Sequence, residues 1–386
     1  MLLALDEKMT QRKPFREIVR QFTPNWFTVT MGTGILSLAL NQFPIHLKVI
    51  HAAAVALWFL NIALFSVFLL VYSARWIVFT AEARRIFSHS TVSMFFGAIP
   101  MALATIINGL LVFGIPIWGN GVVVFARWLW WVDVLLAIFC GVAVPFFMFT
   151  RQEHALERMT AIWLLPIVAA EVSAASGAVL APFLAPPIAM RIVFISYALW
   201  AFSVPLALSI LTILLLRLIV HKLPPADMAA TSWLALGPIG TGALGLVSLG
   251  VDALKILPPA GFAAVSATAY GIGLIGAIAL LGYGVFWLLT AILVTLRYLR
   301  QGMLFNIGWW GFTFPIGVYA VAVLAVARQT NITSLLVLGG ALVIGLSFLW
   351  LIIATRTVRG AWTGALFHSP CLVPGAIPED RIVGPS

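Results

Sequence analysis

Ten apolar runs, each near or beyond the length that crosses a bilayer, constrain this chain more than anything else in it. Hydrocarbon satisfies no backbone polar group, so a spanning segment is a self-bonded helix or a strand of a closed barrel, and a helix needs roughly 20 apolar residues. The runs cover residues 25–40, 50–73, 92–114, 122–149, 161–181, 192–218, 232–252, 262–296, 308–325 and 333–354. The eighth is long enough to tilt or to extend past the bilayer. The fold class read from this pattern is an all-α integral membrane protein with ten transmembrane helices arranged as five hairpins. Residues 1–21 are read as an N-terminal segment, 22–356 as the membrane domain and 357–386 as a tail.

Composition agrees: 62% of the chain is hydrophobic and 9% charged, outside the range of water-soluble domains. The net charge of +10 does not mark a nucleic-acid binder, because the basic residues sit in short loops rather than along one solvated face. All but five of the 22 Lys and Arg residues fall on one side of the predicted bilayer; Lys48, Arg127, Arg191, Lys255 and Arg328 fall on the other. That asymmetry puts both termini in the cytoplasm. The start, "MLLALDEKMTQRKPFREIVRQF", is charged through its middle and lacks the apolar core of a signal peptide; "FREIVRQF" reads as a short amphipathic surface helix. Cys140 and Cys371 form no metal-binding spacing, and the six histidines are scattered singly, so neither a metal nor a cofactor is expected.

The runs are of two kinds. Odd-numbered ones carry backbone-disrupting residues: "TMGTG", "GAIPMALATIING", "LLPIVAAEVSAASGAVLAP", "GPIGTGALGLVSLG" and "GWWGFTFPIG". Even-numbered ones are smooth Leu, Ile, Val and Phe runs, apart from Pro145 and Pro205. Proline frees a carbonyl that lipid leaves unsatisfied, so interrupted helices belong where protein or water covers them. The odd helices are therefore expected inside, around a pathway, and the even ones outside against lipid. The competing reading is that small residues serve close helix packing. Stripes at helical spacing favour a lining: Thr30, Thr33 and Ser37; Ser93, Gly97, Met101, Ala104 and Asn108; Gly237, Thr241, Gly245, Ser248 and Asp252. Small, weakly polar faces suit a permeant that must not bind tightly.

In the ninth run, Phe314 has Gly311 three residues before it and Gly317 three after. Those glycines leave room on its face for the ring to swing as a plug; the alternative is a core ring packed on glycine. Phe312, beside Trp309 and Pro315, is in a crowded setting. "GPIGTG", with Gly240 and Thr241, is the candidate backbone site for an anion, because broken helices present free N–H groups and positive dipole ends. Glu171 is an acid within the bilayer and so a functional candidate by default. It would carry a proton with the permeant, stay neutral so as not to repel it, or be satisfied by a neighbouring helix or subunit. Asp133 is read as structural or interfacial, and Asp252 as a solvated helix-end residue.

Together "TMGTG", "WLLPIVAAEVSAASG", "LGPIGTG" and the ninth run resemble the tellurite-resistance/dicarboxylate transporter family, whose branches include fungal malate permeases, fungal sulfite efflux pumps and plant slow-type anion channels. The resemblance runs from about Phe22 to the tenth helix. It implies a five-hairpin barrel with a pore in each subunit, a trimer in the plasma or inner membrane, and a phenylalanine gate on the ninth helix, which maps onto Phe314 in "FTFP". "GPIGTGALGLV", "FGAIPMALATIIN" and "WLWWVD" are similar to the sulfite branch, while "AIWLLPI" and "FTPNWFTVTMGTG" fit the malate branch as well. The expected function is transport of a small anion, sulfite or a related species, with proton-coupled C4-dicarboxylate transport as the alternative. A membrane enzyme lacks any nucleophile–base or HExxH pattern here, and a non-transporting structural subunit would have little use for five polar-lined interrupted helices.

Overall fold

A computed structural model describes residues 14–372. Positions 1–13 of the N-terminal segment and 373–386 of the tail lie outside the described residues. The long elements are α1 (Phe27–Asn41), α2 (Lys48–Val78), α3 (Val92–Trp118), α4 (Val122–Thr150), α5 (Ala161–Phe183), α6 (Pro186–His221), α7 (Ala226–Ile256), α8 (Ala263–Arg300), α9 (Ile307–Thr330) and α10 (Thr333–Trp362). Among the described residues, nine of them, α2 to α10, are long and apolar enough to cross a membrane. The first run is helical over only 15 residues, about 22 Å at 1.5 Å per residue. The amphipathic stretch forms the short helix Phe15–Gln21.

The inside–outside division follows the sequence pattern. In the most apolar window of α3, α5, α7 and α9, 78–94% of residues are buried within the protein; in α2, α4, α6, α8 and α10 the share is 22–33%. Consecutive inner helices touch, α1 to α3, α3 to α5, α5 to α7 and α7 to α9, and α9 closes back on α1. Five inner helices thus make a closed ring, with the outer helices around it exposing large apolar side chains such as Leu70, Phe149 and Ile275. Unpartnered apolar surface on that scale is what lipid covers.

Polar side chains pin each layer to the other. In the first hairpin Ser37 donates to the Ala54 carbonyl at 2.7 Å, and in the third Ser203 donates to the Ile167 carbonyl at 2.8 Å. Indole N–H groups do the same for the fourth and fifth, Trp233 to Thr295 at 2.8 Å and Trp310 to Thr357 at 2.9 Å. Such bonds remove a donor and an acceptor that lipid would leave bare.

The inner helices are not broken in two. Each begins with a 3₁₀ segment, at Pro24–Trp26, Val92–Gly97, Ala161–Leu164, Ala226–Ala235 and Ile307–Phe312, and then tightens into α-helix. Pro100, Pro166, Pro238 and Pro315 all fall in the first turn of that α segment and all are buried. A proline there lacks the N–H that would reach back to the preceding 3₁₀ carbonyls, and the chain changes winding within two residues of it without opening a gap. No unwound stretch exposes N–H groups at "GPIGTG"; that expectation gives way to a continuous helix. In α3 the winding loosens once more, into a π turn over Leu110–Gly114 that starts two residues after Asn108; such turns recur at functional positions.

Candidate functional site

The ring of inner helices encloses a cavity of about 340 Å³. At about 30 Å³ per water molecule, that holds a small hydrated ion. All five inner helices line it at steps of three or four residues: Ile35, Leu38 and Gln42 from α1; Asn108 and Val112 from α3; Val172, Ala175 and Val179 from α5; Thr241, Leu244 and Ser248 from α7; Phe314, Val318, Val321 and Ala325 from α9. Asp252, Arg328 and Gln329 stand at the wide end. The first lining residue of each helix is Ile35, Asn108, Val172, Thr241 and Phe314, all of them buried except Asn108, which is half-buried. Solvent reaches Leu38, Val112, Leu244 and Val321 in part, but Thr241 and Phe314 are closed off at 1% and 3% exposure.

The deep end holds polar atoms without partners. Thr30, Thr33, Thr105 and Thr313 donate to carbonyls three or four residues back, at 2.7–2.8 Å. Thr241 makes no such bond, and its hydroxyl oxygen is buried and unpartnered. Asn108 likewise leaves its amide oxygen unpaired. An orphaned buried polar atom costs about 1–3 kcal/mol, so this end of the cavity is built to hold water or a permeant. No formal charge lines it; the chemistry on offer is neutral hydrogen bonding beside an aromatic ring.

The other expected lining residues are placed elsewhere. The Thr33 hydroxyl accepts from Trp350 Nε1 of α10 at 3.1 Å, so the α1 stripe faces the outer layer, and Ile35, Leu38 and Gln42 face the lumen. A Cβ on Gly240 would stand 2.7 Å from the Tyr319 backbone nitrogen, and one on Gly317 would stand 2.6 Å from Ile35 Cγ1. Both are close helix contacts. A Cβ on Gly311 would rest at 3.5 Å from the Ala230 carbonyl oxygen, so this glycine turns to the start of α7. Open space lies instead at Gly237, which is buried yet would place a Cβ with nothing within 4 Å. Gly240 abuts Val318 and Tyr319; one turn earlier on the same two helices lie Gly237 and the Phe314–Pro315 pair. Phe312 is wedged edge-on between Trp233 and Trp309, at 5.8 and 5.9 Å between centroids, the crowded setting expected of it.

Glu171 and Asp133 do not line the cavity. Glu171 is fully buried and accepts from the Ser203 hydroxyl of α6 at 3.3 Å, with Oε1 unpartnered. Asp133 of α4 accepts from Ser173 of α5 at 2.6 Å. Both tie α5 to its outer neighbours. Sequence reasoning did not foresee the wide end: Arg328 donates through Nη1 to the Gln42 side chain and through Nη2 to the Gln42 carbonyl at 2.5 Å, which joins the ends of α9 and α1. The signal was present just past the ninth run, where Arg328 is the only basic residue of α9, but helical phase alone does not say that it faces the lumen.

Comparison with known proteins decides the class. The family described as voltage-dependent anion channel matches residues 21–358, nearly the whole ring with its outer layer. The chain belongs to that family. A sulfite efflux pump of Trichophyton rubrum is 37% identical over 91% of this chain and 93% of its own length. An uncharacterized transporter of Methanocaldococcus jannaschii is 28% identical over 91% of the chain and 96% of its own. The malic acid transport protein of Schizosaccharomyces pombe is 25% identical over 40% of the chain and 35% of its own. This member of the voltage-dependent anion channel family is thus a multi-pass membrane anion transporter or channel, not an enzyme.

Proposed function

We propose that the chain exports sulfite or a closely related small oxyanion through the ring of inner helices, with Phe314 as the closure. The observation that carries this reading is the unpartnered Thr241 hydroxyl, closed off from solvent as Phe314 is, in a cavity lined by all five inner helices. A hydroxyl and an amide hold an oxyanion loosely enough for it to leave, and the ring blocks the way when the space at Gly237 is empty. Likeness to sulfite efflux pumps along nine-tenths of the chain supports the substrate. Proton-coupled carriage of a C4-dicarboxylate is the second reading, favoured by the malic acid transport relative. Efflux of labelled sulfite from vesicles holding the purified chain, measured with and without excess malate, tests the two. Sulfite efflux indifferent to malate supports the first, and malate uptake without sulfite efflux supports the second and sinks the first.

The chain's position in the membrane follows the same reading. The Ser369 backbone N–H donates to Gln21 Oε1 at 2.7 Å, so the two ends of the described chain meet on one side. That favours an even number of crossings, with α1 as the tenth, and the basic loops favour the cytoplasm for that side. A plasma-membrane homotrimer is proposed by family likeness; each subunit would hold its own pathway. Glu171, bonded to Ser203 away from the cavity, supports a packing role better than proton coupling.

A further inference from the structure

The lumen's formal charges stand at its wide end and are opposite in sign. Arg328 is fixed by its bonds to Gln42. Asp252 lines the same cavity from α7, is 7% exposed, and leaves Oδ2 buried without a partner. It joins no ion pair among the described residues. Among the groups around it, Lys255 is the cation whose charge reaches Asp252, and solvent screens it. Lys255, on its own helix, is exposed. Tyr197 of α6 is near enough to sense its charge, and its hydroxyl is unpartnered. Tyr270 of α8 spends its hydroxyl on Gln329 at 3.3 Å. The α1 and α5 residues at this end, Gln42 and Val179, are neutral.

We propose that Asp252 is a proton-operated charge filter for the permeating oxyanion. With the carboxyl protonated, Arg328 gives the vestibule a net positive charge and draws the anion in. With it ionised, the two charges offset one another and the anion meets a carboxylate on its path. A low-dielectric cleft focuses such a field, and the difference in flux is about tenfold, the low end of electrostatic focusing. Proton and anion are thereby coupled without a covalent step and without a second acid along the pathway.

This rests on the cavity being the anion pathway, and the experiment separates the two claims. Sulfite flux through the full chain in liposomes is measured at equal pH on both faces, from acid to mildly alkaline, for the native protein and for Asp252→Asn. The ratio of variant to native flux removes the anion's own protonation from the comparison. The ratio is expected near one at acid pH, rising to about tenfold as the native acid ionises, while Asp252→Glu follows the native profile. A ratio flat across pH overturns the filter alone, and absence of native anion flux overturns the pathway and the filter together. Should Asp252→Asn fail to assemble, Arg328→Gln is expected to lower flux at every pH while keeping the pH response, with Arg328→Lys restoring it; unchanged flux in Arg328→Gln likewise overturns the proposal.

Discussion

The two halves of the inner ring are built from the same five helices and are packed in different ways. Beyond Thr241, toward Gln42 and Arg328, the helices present Leu, Val, Ala and Ser to a cavity that solvent reaches in part. On the other side of Phe314, toward the chain ends, the 3₁₀ starts crowd Trp26, Phe27, Trp310 and Phe312 into contacts that are almost fully buried. Small residues alone do not distinguish the halves, since glycines occur in both. Nor does the space at them: Gly317, on the open side of Phe314, meets Ile35, whereas Gly237, on the packed side, meets nothing within 4 Å; the difference lies in the crowded aromatic rings. Permeation needs a lumen that is continuous at some moment, so under the proposed reading Phe314, at the border of the open and packed halves, is where opening has the most effect.

Breaking the contrast at that ring has the largest expected effect. Phe314→Ala joins the open half to the space at Gly237 and raises anion flux by about tenfold or more, a barrier lowered by about 1.4 kcal/mol; flux assays in vesicles check it. Next is the packing that keeps the halves apart. Gly240→Val drives side-chain atoms into the Val318–Tyr319 backbone and costs about 1–3 kcal/mol of overpacking, seen as a lowered unfolding temperature in detergent. Thr241→Val keeps shape and removes the free hydroxyl, weakening sulfite inhibition of its own tracer flux by about threefold to tenfold, the worth of about one hydrogen bond. The smallest effect belongs outside the lumen: Glu171→Gln keeps the Ser203 bond and leaves the pH profile of flux unchanged, whereas a flattened profile would bring Glu171 back as a proton carrier.

What sequence could say about this architecture followed from cost. Pro and Gly are expensive against lipid, so their alternation between runs separated inner from outer helices, and Pro100, Pro166, Pro238 and Pro315 are all inside. Asn108, Thr241 and Phe314 were legible as candidates because a polar or bulky residue on a small-residue face needs a reason. Direction was not legible. Helical spacing groups Thr30, Thr33 and Ser37 on one side of α1 but does not say whether lumen or α10 lies there, and Trp350 and the Ala54 carbonyl decide it. A glycine marks either a close contact or an empty place, and only the neighbouring helix separates Gly317 from Gly237. The presence of Asp252 and Arg328 around one cavity brings together residues 76 positions apart, beyond the reach of local pattern.

The central claim is that Phe314 is the barrier between a solvent-reached half of the lumen and a closed one. The most direct measurement is labelling of single engineered thiols by a membrane-impermeant, charged thiol reagent applied from the Arg328 side, since native Cys140 and Cys371 are buried. Ser248→Cys, in the open half, should react whether position 314 is Phe or Ala, and Gly237→Cys should react only when it is Ala. Equal labelling of Gly237→Cys with Phe314 in place would contradict the account.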